Sequence, residues 1–491
     1  MTRAASCALV LTVLAACSSD DGLKPASAYE ARCVSPRTGT DPASGQAYSD
    51  TQGTLLDELN WVQSWINDTY LWYSEVKRTD PSKYTDPVAY FAVEKTTAIT
   101  ASNKPKDQFH FTYDTPVWET MSSGGAEAGY GISWDLIASA PPRDLVVALV
   151  QPNTPATDAM IVRGAQVLTI DGVDVKNGSD INTLNNGLFP TTGAMHTFEV
   201  LDPGATASRS VTLTAGGIVE TPVQRVTLPP PYDKVGYLLF NDHIATAEQE
   251  LITEITALQG AGVTDLVLDL RYNGGGYLDI ASELAFMIAG PTVTTGKVFD
   301  RVAFNDKHPT TNPVTGGAID ATPFVSQAEG FSAPVNQPLP HLDLPRLFVL
   351  TTGGTCSASE AVLNGLAGVG IQVIQIGSTT CGKPYGFYPA DNCATTYFAI
   401  QFEGVNNKGF GDYADGFVPG GVFKGCVVDD DFTHQLGDPA EGMLAVALSN
   451  LNSADNPTCP TQRRSAAVSA ATGDGVLSMK PLWRQNAILR H

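Results

Sequence analysis

The stretch VLDLRYNGGGYLDIA, residues 267–281, changes character at its centre. The run LVLDL that opens it, from Leu266 to Leu270, is apolar at almost every position, the pattern of a strand buried on both faces. Asn273 and the three glycines after it break that pattern, and apolar residues then return at helical spacing, predicting a helix over Asp279–Ile288. Strand, glycine turn and helix make one unit of an α/β layer. Glycines at such a junction let backbone N–H groups face a substrate with no Cβ in the way, as an oxyanion-binding turn requires. Taken alone, such a run is more often only a tight strand-to-helix turn.

The unit repeats on either side. VGYLLF (235–240) leads into a helix over Ala247–Leu258, LPRLFVLTT (344–352) into a helix over Ala358–Ala367, and IQVIQIG (371–377) follows as a further strand. Residues Thr292–Leu342 interrupt the rhythm with Gly, Pro, Thr and Asn and read as a rim insertion. In LFVLTTGGTCSASEAVLNGL, Ser357 and Ser359 stand where a strand meets a helix, so that the helix amides could stabilise charge on either oxygen. The plainer reading is a pair of capping serines, because Glu360 three residues after Ser357 completes a capping box. In IQIGSTTCGKPYG, Lys383 follows Gly382 at the end of the next strand. An amine there serves as a general base only where burial lowers its pKa, and otherwise it is a surface lysine.

Upstream the texture differs. Leu55–Val76 carries apolar residues at helical spacing (Leu55, Leu59, Val62, Ile66) and predicts a helical unit with a packed aromatic core. From about Gly124 to Ala215, short strands (GYGISW, RDLVVALV, QVLTIDGVDV, HTFEVLD, RSVTLTA) alternate with turns around a single helix, Ser179–Leu188. Gly216–Tyr232 is rich in proline and reads as a stiff linker, and residues 18–48 read as a flexible tether.

The first residues resemble an export signal: Arg3, an apolar run from Ala4 to Ala16, then Cys17. That run is shorter than the ~20 residues a spanning helix needs. LAAC (14–17) resembles a bacterial lipobox, which implies acylation of Cys17 and, with Ser18 after it, a place on the periplasmic side of the outer membrane; an ordinary signal with an incidental cysteine is the alternative. Export makes Cys33, Cys356, Cys381, Cys393, Cys426 and Cys459 readable as three disulfides, with a Cys381–Cys393 bridge the first expectation. Acidic residues outnumber basic ones 51 to 29, a formal charge of -22 that argues against a nucleic-acid partner. The seven histidines (His110, His196, His243, His308, His341, His434, His491) form no ligand pattern and read as structural, so neither metal nor cofactor is expected. The cluster Asp429–Asp431 reads as a solvated turn before a closing helix, and beyond Cys459 little regular structure is expected.

NGGG after LDLR, then SASE, then GSTTCGK, in that order, resemble peptidase family S41, the C-terminal processing proteases, over about Tyr130–Leu451. Residues 121–215 resemble the PDZ domain of those enzymes, with Gly129, Tyr130, Gly131 and Ile132 in the place of the loop that binds a peptide carboxylate. The resemblance implies an α+β multidomain chain: signal peptide 1–17, tether 18–48, helical N-terminal unit 49–120, PDZ-like β domain 121–215, α/β (ClpP/crotonase-like) catalytic core 216–455 with its rim insertion 292–342, and tail 456–491. It further implies a serine endopeptidase acting on the C-termini of peptides or unfolded proteins, tethered to the membrane by lipid. Ser357 would be the nucleophile, Lys383 the base, and the amides of Ala358 and Gly275 the oxyanion hole.

Two departures stand out. The Ser357–Lys383 separation is one residue longer than usual, and Phe387 occupies the position, four after the lysine, where many members carry a glutamine. Gln401 on a following strand is the candidate substitute. Phe387 also favours a second expectation, a decayed, non-catalytic peptide-binding or scaffold lipoprotein. A crotonase-like acyl-CoA enzyme would share the glycine turn, but it explains neither the export signal nor the PDZ-like segment.

Overall fold

The computed structural model describes residues 22–41, 44–100, 102–124, 126–138, 140–461 and 487–488. The expected signal peptide and Cys17 lie outside them. Helix α1 (Leu55–Thr69) starts at a reciprocal cap, in which Thr54 Oγ1 accepts from the Asp57 N–H at 3.2 Å and Asp57 Oδ2 from the Thr54 N–H at 2.9 Å. Its buried face stacks Trp61 on Trp65 with centroids 5.3 Å apart and packs both against Tyr397, far along the chain. Phe111–Asp114 then pairs antiparallel with Thr395–Phe398, so the helical unit shares a sheet with the core.

The tether expectation fails from residue 26 onward. Ala26–Ala28 forms a turn of helix, Arg32–Cys33 pairs with Thr51–Gln52, and Cys33 is bridged to Cys393 across 360 residues. That bridge also overturns the expected Cys381–Cys393 pairing; the remaining bridges are Cys356–Cys381 and Cys426–Cys459. Local spacing misled here because chain ends distant in sequence meet in space.

The PDZ-like segment is an antiparallel sheet of β1 (Ile132–Ala138), β2 (Asp144–Val150), β3 (Gln166–Ile170), β4 (Met195–Leu201) and β5 (Arg209–Thr214), in the order β5-β4-β3-β2-β1 with Val173–Asp174 beside β3. Helix α2 (Ile181–Leu188) buries Leu184 and Leu188 among Ile170, Phe198 and Leu213. Strand β1 ends the order and presents an outer edge.

The expected linker is itself paired structure. Gly216–Val219 pairs with Ala126–Gly129, and Val223–Thr227 becomes β6, the antiparallel edge of the core sheet. Then come β7 (Val235–Phe240), α3 (Ala247–Ala261), β8 (Asp265–Asp269), α4 (Leu278–Ala289), β9 (Arg346–Thr351), α5 (Ala358–Gly368), β10 (Gln372–Gly377), β11 (Lys424–Val427) and α6 (Gly442–Ser449). The strand order is β6-β7-β8-β9-β10-β11, parallel from β7 onward. Alternate residues explain the unbroken apolar runs: Leu238, Phe240, Leu268 and Val349 pack under α3, α4 and α5, whereas Tyr237, Leu239, Val267 and Phe348 pack under α6 and Leu149 of β2. Each fully buried Leu or Phe of these strands contributes about 1.5–3 kcal/mol. The rim insertion also joins this core, with Phe299, Phe324 and Leu339 buried against the same helices.

One polar cluster crosses the layers. Arg271, fully buried just past β8, donates to Asp269 at 3.0 Å, Asp430 at 2.6 Å and Glu441 at 2.9 and 3.1 Å. Arg163 of the PDZ-like sheet joins through Asp430 at 2.5 Å and the Tyr272 hydroxyl. The turn expected to be solvated is therefore half structural, because Asp430 neutralises two buried guanidiniums. Burial pushes the Asp430 carboxyl up, but Arg271 and Arg163 hold it below the usual carboxylate value. Its contribution to stability is thus present above the unfolded carboxylate pKa and is lost as pH falls through the lowered native one. Asp430→Asn leaves both cations short of a partner, and we expect a loss of about 3–5 kcal/mol in denaturant unfolding at pH 7, shrinking toward acid pH.

Candidate active site

The C-terminal ends of β8, β9 and β10 lie side by side, because Val267–Asp269 is in register with Phe348–Leu350 and Leu350–Thr351 with Ile376–Gly377. The three motif segments leave the sheet there, as ligand-binding loops of parallel sheets do.

The glycine run is held from its first residue. Asn273, buried, donates its side-chain amide to Phe240 O at 3.0 Å and accepts the Gly275 N–H on Oδ1 at 2.9 Å. The same Oδ1 lies 3.0 Å from His243 Nδ1. Burial lowers the His243 pKa to about 3, so its imidazole is neutral, and with Nδ1 donating to Asn273 its Nε2 is a buried acceptor without a hydrogen-bond partner among the described residues. Gly276 adopts φ 134°, and a Cβ there would lie 2.4 Å from His243 O, so no other residue fits. Gly276–Tyr277 also pairs in parallel with Ala487–Ile488, the one part of the tail beyond residue 461 that is described.

Ser357 sits at the sharp junction of β9 and α5 with φ 59° and ψ -112°, a conformation that costs a non-glycine residue about 1–3 kcal/mol. It is 1% exposed, and its Oγ faces the Glu360 N–H in a capping-box arrangement but makes no hydrogen bond of ordinary geometry among the described residues. Ser359, by contrast, spends its hydroxyl on Asn273 O at 3.1 Å. The two serines of the motif are thereby distinguished: one holds the glycine run, the other does not.

Lys383 is 1% exposed, with its amine 4.3 Å from the Phe109 ring centroid and 4.8 Å from that of Phe387. Burial holds its pKa well below the ordinary lysine value, against the opposing pull of the Asp107 and Glu360 carboxylates. Phe387 thus supplies an apolar wall at the position of the usual glutamine. Gln401 lies elsewhere: its Oε1 accepts from the Tyr388 N–H at 2.8 Å and its Nε2 reaches Thr69 at 3.5 Å, in a cleft lined by Trp65.

Glu360 joins the two loops. Its Oε2 accepts from the Ser357 N–H at 2.9 Å and the Lys383 N–H at 2.8 Å, and its Oε1 from the Gly382 N–H at 2.9 Å and the Thr380 hydroxyl at 2.5 Å. The sequence suggested only its capping role. Ser357 and Lys383 line one cavity of about 10 Å³ with Leu278, Asp300, Tyr385 and Tyr413, room for roughly one water. Alcohol and amine share that space without a hydrogen bond between them. Asp300, which no motif marked, is buried there with its pKa pushed up to about 7 by desolvation. Glu283, also buried, accepts from the Glu329 N–H and steadies the rim away from this cavity.

In the PDZ-like sheet, the carbonyls of Tyr130 and Gly131 accept from the N–H groups of Ala156 (3.0 Å) and Gln151 (2.7 Å), fixing the GYGI turn at the start of β1.

Glu360→Gln puts amide hydrogens against a ring of donors; with each orphaned donor costing about 1–3 kcal/mol, a melting-temperature loss of several degrees is expected. Ser359→Ala, which removes one hydrogen bond, should cost about 0.5–1.5 kcal/mol in denaturant unfolding.

Residues 234–386 match peptidase family S41, and residues 57–109 match the peptidase S41 N-terminal domain. A carboxyl-terminal-processing protease of Picosynechococcus sp. is 27% identical over 344 residues, covering 69% of this chain and 74% of the relative. A chloroplastic C-terminal processing peptidase of Tetradesmus obliquus is 30% identical over 245 residues, 46% of this chain and 45% of that one. A crystal structure described as an S41 protease from Bacteroides fragilis shares the fold, with TM-score 0.60 at 22% identity over 80% of this chain and 97% of that one.

Proposed function

This chain belongs to peptidase family S41 and is a serine peptidase, and from that premise we propose that it cleaves peptide bonds with a Ser357–Lys383 dyad. The observation that carries the reading is the strained, buried Ser357 hydroxyl in one cavity with an amine whose pKa burial holds well below the ordinary lysine value. Neutral Lys383 takes the hydroxyl proton as Oγ attacks the scissile carbonyl; the leaving amine departs with a proton, and water then releases the acyl-enzyme. The Ala358 N–H, at the first turn of α5, and the Gly275 N–H are the oxyanion donors in this reading. The Gly275 amide must leave Asn273 Oδ1 as the substrate carbonyl arrives, which makes the described state a resting one. A side-chain rotation of Ser357 and entry of substrate into the cavity would bring alcohol and amine into contact.

Substrate would be an extended C-terminus. The fixed GYGI turn (Gly129, Tyr130, Gly131, Ile132) and the outer edge of β1 suit capture of a terminal carboxylate with strand addition. Three disulfides fit an oxidising compartment, which agrees with an exported lipoprotein acylated at Cys17, and no described helix is long and apolar enough to cross a membrane.

Phe387, an apolar residue four positions after Lys383 where many members carry a glutamine, favours a second reading as a decayed peptide-binding lipoprotein. Hydrolysis of denatured casein and of a peptide with an apolar C-terminus separates the two. The protease reading expects turnover that falls at least about 10³-fold in Ser357→Ala; wild-type protein without turnover, or turnover surviving that change, overturns it.

The pH dependence follows from the amine. Lys383 is a base only when deprotonated, so kcat/KM should rise with pH through its lowered pKa, and Lys383→Arg should be inactive at every pH. Between that lowered value and the unfolded lysine value of about 10.4, the unfolded chain binds a proton the native one does not, so stability rises with pH. Lys383→Met should therefore raise the melting temperature at pH 7 while abolishing turnover; an unchanged or lower melting temperature would count against the buried, neutral amine.

A further inference from the structure

The three disulfides occupy different kinds of place. Cys33–Cys393 fastens the N-terminal unit to the core, and Cys426–Cys459 ties edge strand β11 to the start of the tail. Cys356–Cys381 joins the two loops that carry the dyad: Cys356 immediately precedes Ser357, and Cys381 lies two residues before Lys383. The loops leave neighbouring parallel strands, and the bridged Cα atoms are 5.1 Å apart.

Both ends of the bridge are anchored to the glycine run or its neighbour. The Cys356 N–H donates to Asn273 O at 3.1 Å and the Cys381 N–H to Thr355 O at 3.0 Å. Glu360 already ties the amides of Ser357, Gly382 and Lys383, which sets the height of the Lys383 loop over α5. Its bond from the Ser357 N–H is one non-covalent restraint on the peptide at Ser357, whose positive φ is the uphill conformation. The covalent link on the preceding residue is a second, because relaxation of Ser357 would drag Cys356 away from Cys381. Bond and carboxylate therefore constrain the same junction.

We propose that the Cys356–Cys381 disulfide is a positioning element of the dyad: it holds Ser357 in its strained conformation beside Lys383, and the peptidase is competent only while the bridge is intact. This rests on the Ser357–Lys383 reading. A dithiol reductant reverses it in a balanced two-electron exchange. One reductant thiolate attacks Sγ of Cys381, the partly exposed end; the S–S bond breaks and Cys356 leaves as a thiolate that takes up a proton. The second reductant thiol then closes the reductant's own disulfide and frees Cys381 as a thiol.

The test compares the full chain with Cys356→Ala/Cys381→Ala and with Cys426→Ala/Cys459→Ala on a peptide with an apolar C-terminus. The first pair should lower kcat about 10- to 100-fold with KM within about two-fold, and should displace the rising limb of the pH–kcat profile, with far-UV circular dichroism unchanged. The second pair should leave kcat as it was. A folded first variant with wild-type kcat overturns the proposal, as does a loss of kcat that merely tracks loss of secondary structure, since the bridge is then a general staple. If the first variant does not fold, native protein is reduced with dithiothreitol and alkylation at Cys381 is followed by mass spectrometry. Activity lost in step with the fraction of Cys381 that alkylates in quenched samples, and regained when the unalkylated remainder is reoxidised, sustains the proposal; activity indifferent to reduction of that bridge refutes it. Turnover by Ser357→Ala would instead sink the dyad reading itself, so the two failures are distinct.

Discussion

The site depends on one buried carboxylate. Glu360 receives hydrogen bonds from the first turn of its own helix and from the loop after β10, and no water competes for them because the residue is fully buried. A carboxylate has lone pairs enough for all four donors, so both loops are satisfied at once and held at a fixed separation. The geometry of the serine and the lysine is in this sense a by-product of hydrogen-bond accounting around a third residue that touches no substrate.

Desolvation is the second theme of the centre. Lys383, His243 and Asp300 are all buried, and in each case burial works against the charged form. The N-terminal helical unit contributes directly, since Phe109 covers the lysine amine and Asp107, held by the Tyr70 hydroxyl at 2.6 Å, opposes its full neutralisation. A unit that looks peripheral along the chain thus contributes to the electrostatics of Lys383.

Connections between units are of two kinds. The helical unit is joined to the core by aromatic packing, a shared sheet and the Cys33–Cys393 bridge, all resistant to reorganisation. The PDZ-like sheet meets the core through Leu149 and through Arg163 in the ion cluster around Asp430. That cluster also holds Arg271, two residues before Asn273, so the PDZ-like sheet reaches the base of the glycine run through hydrogen-bonded charge.

Strand–turn–helix units and their order were legible in the sequence, as was the place of the glycine run and Ser357 between strand and helix; Lys383, expected at a strand end, lies in the loop beyond Gly377. Apolar runs and helical spacing are local, and the observed helices Leu278–Ala289 and Ala358–Gly368 differ from those expected by at most one residue at either end. Long-range partners were not legible. Cys33–Cys393 spans 360 residues, Asp430 looked solvated until Arg163 and Arg271 met it, and Gln401 turned toward Tyr388 and Thr69. The linear order of residues determined which chemistry this chain could carry; only the tertiary structure decided which of two serines spends its hydroxyl on a backbone carbonyl and that burial lowers the pKa of the lysine, because hydrogen-bond occupancy and desolvation depend on neighbours brought from elsewhere in the chain.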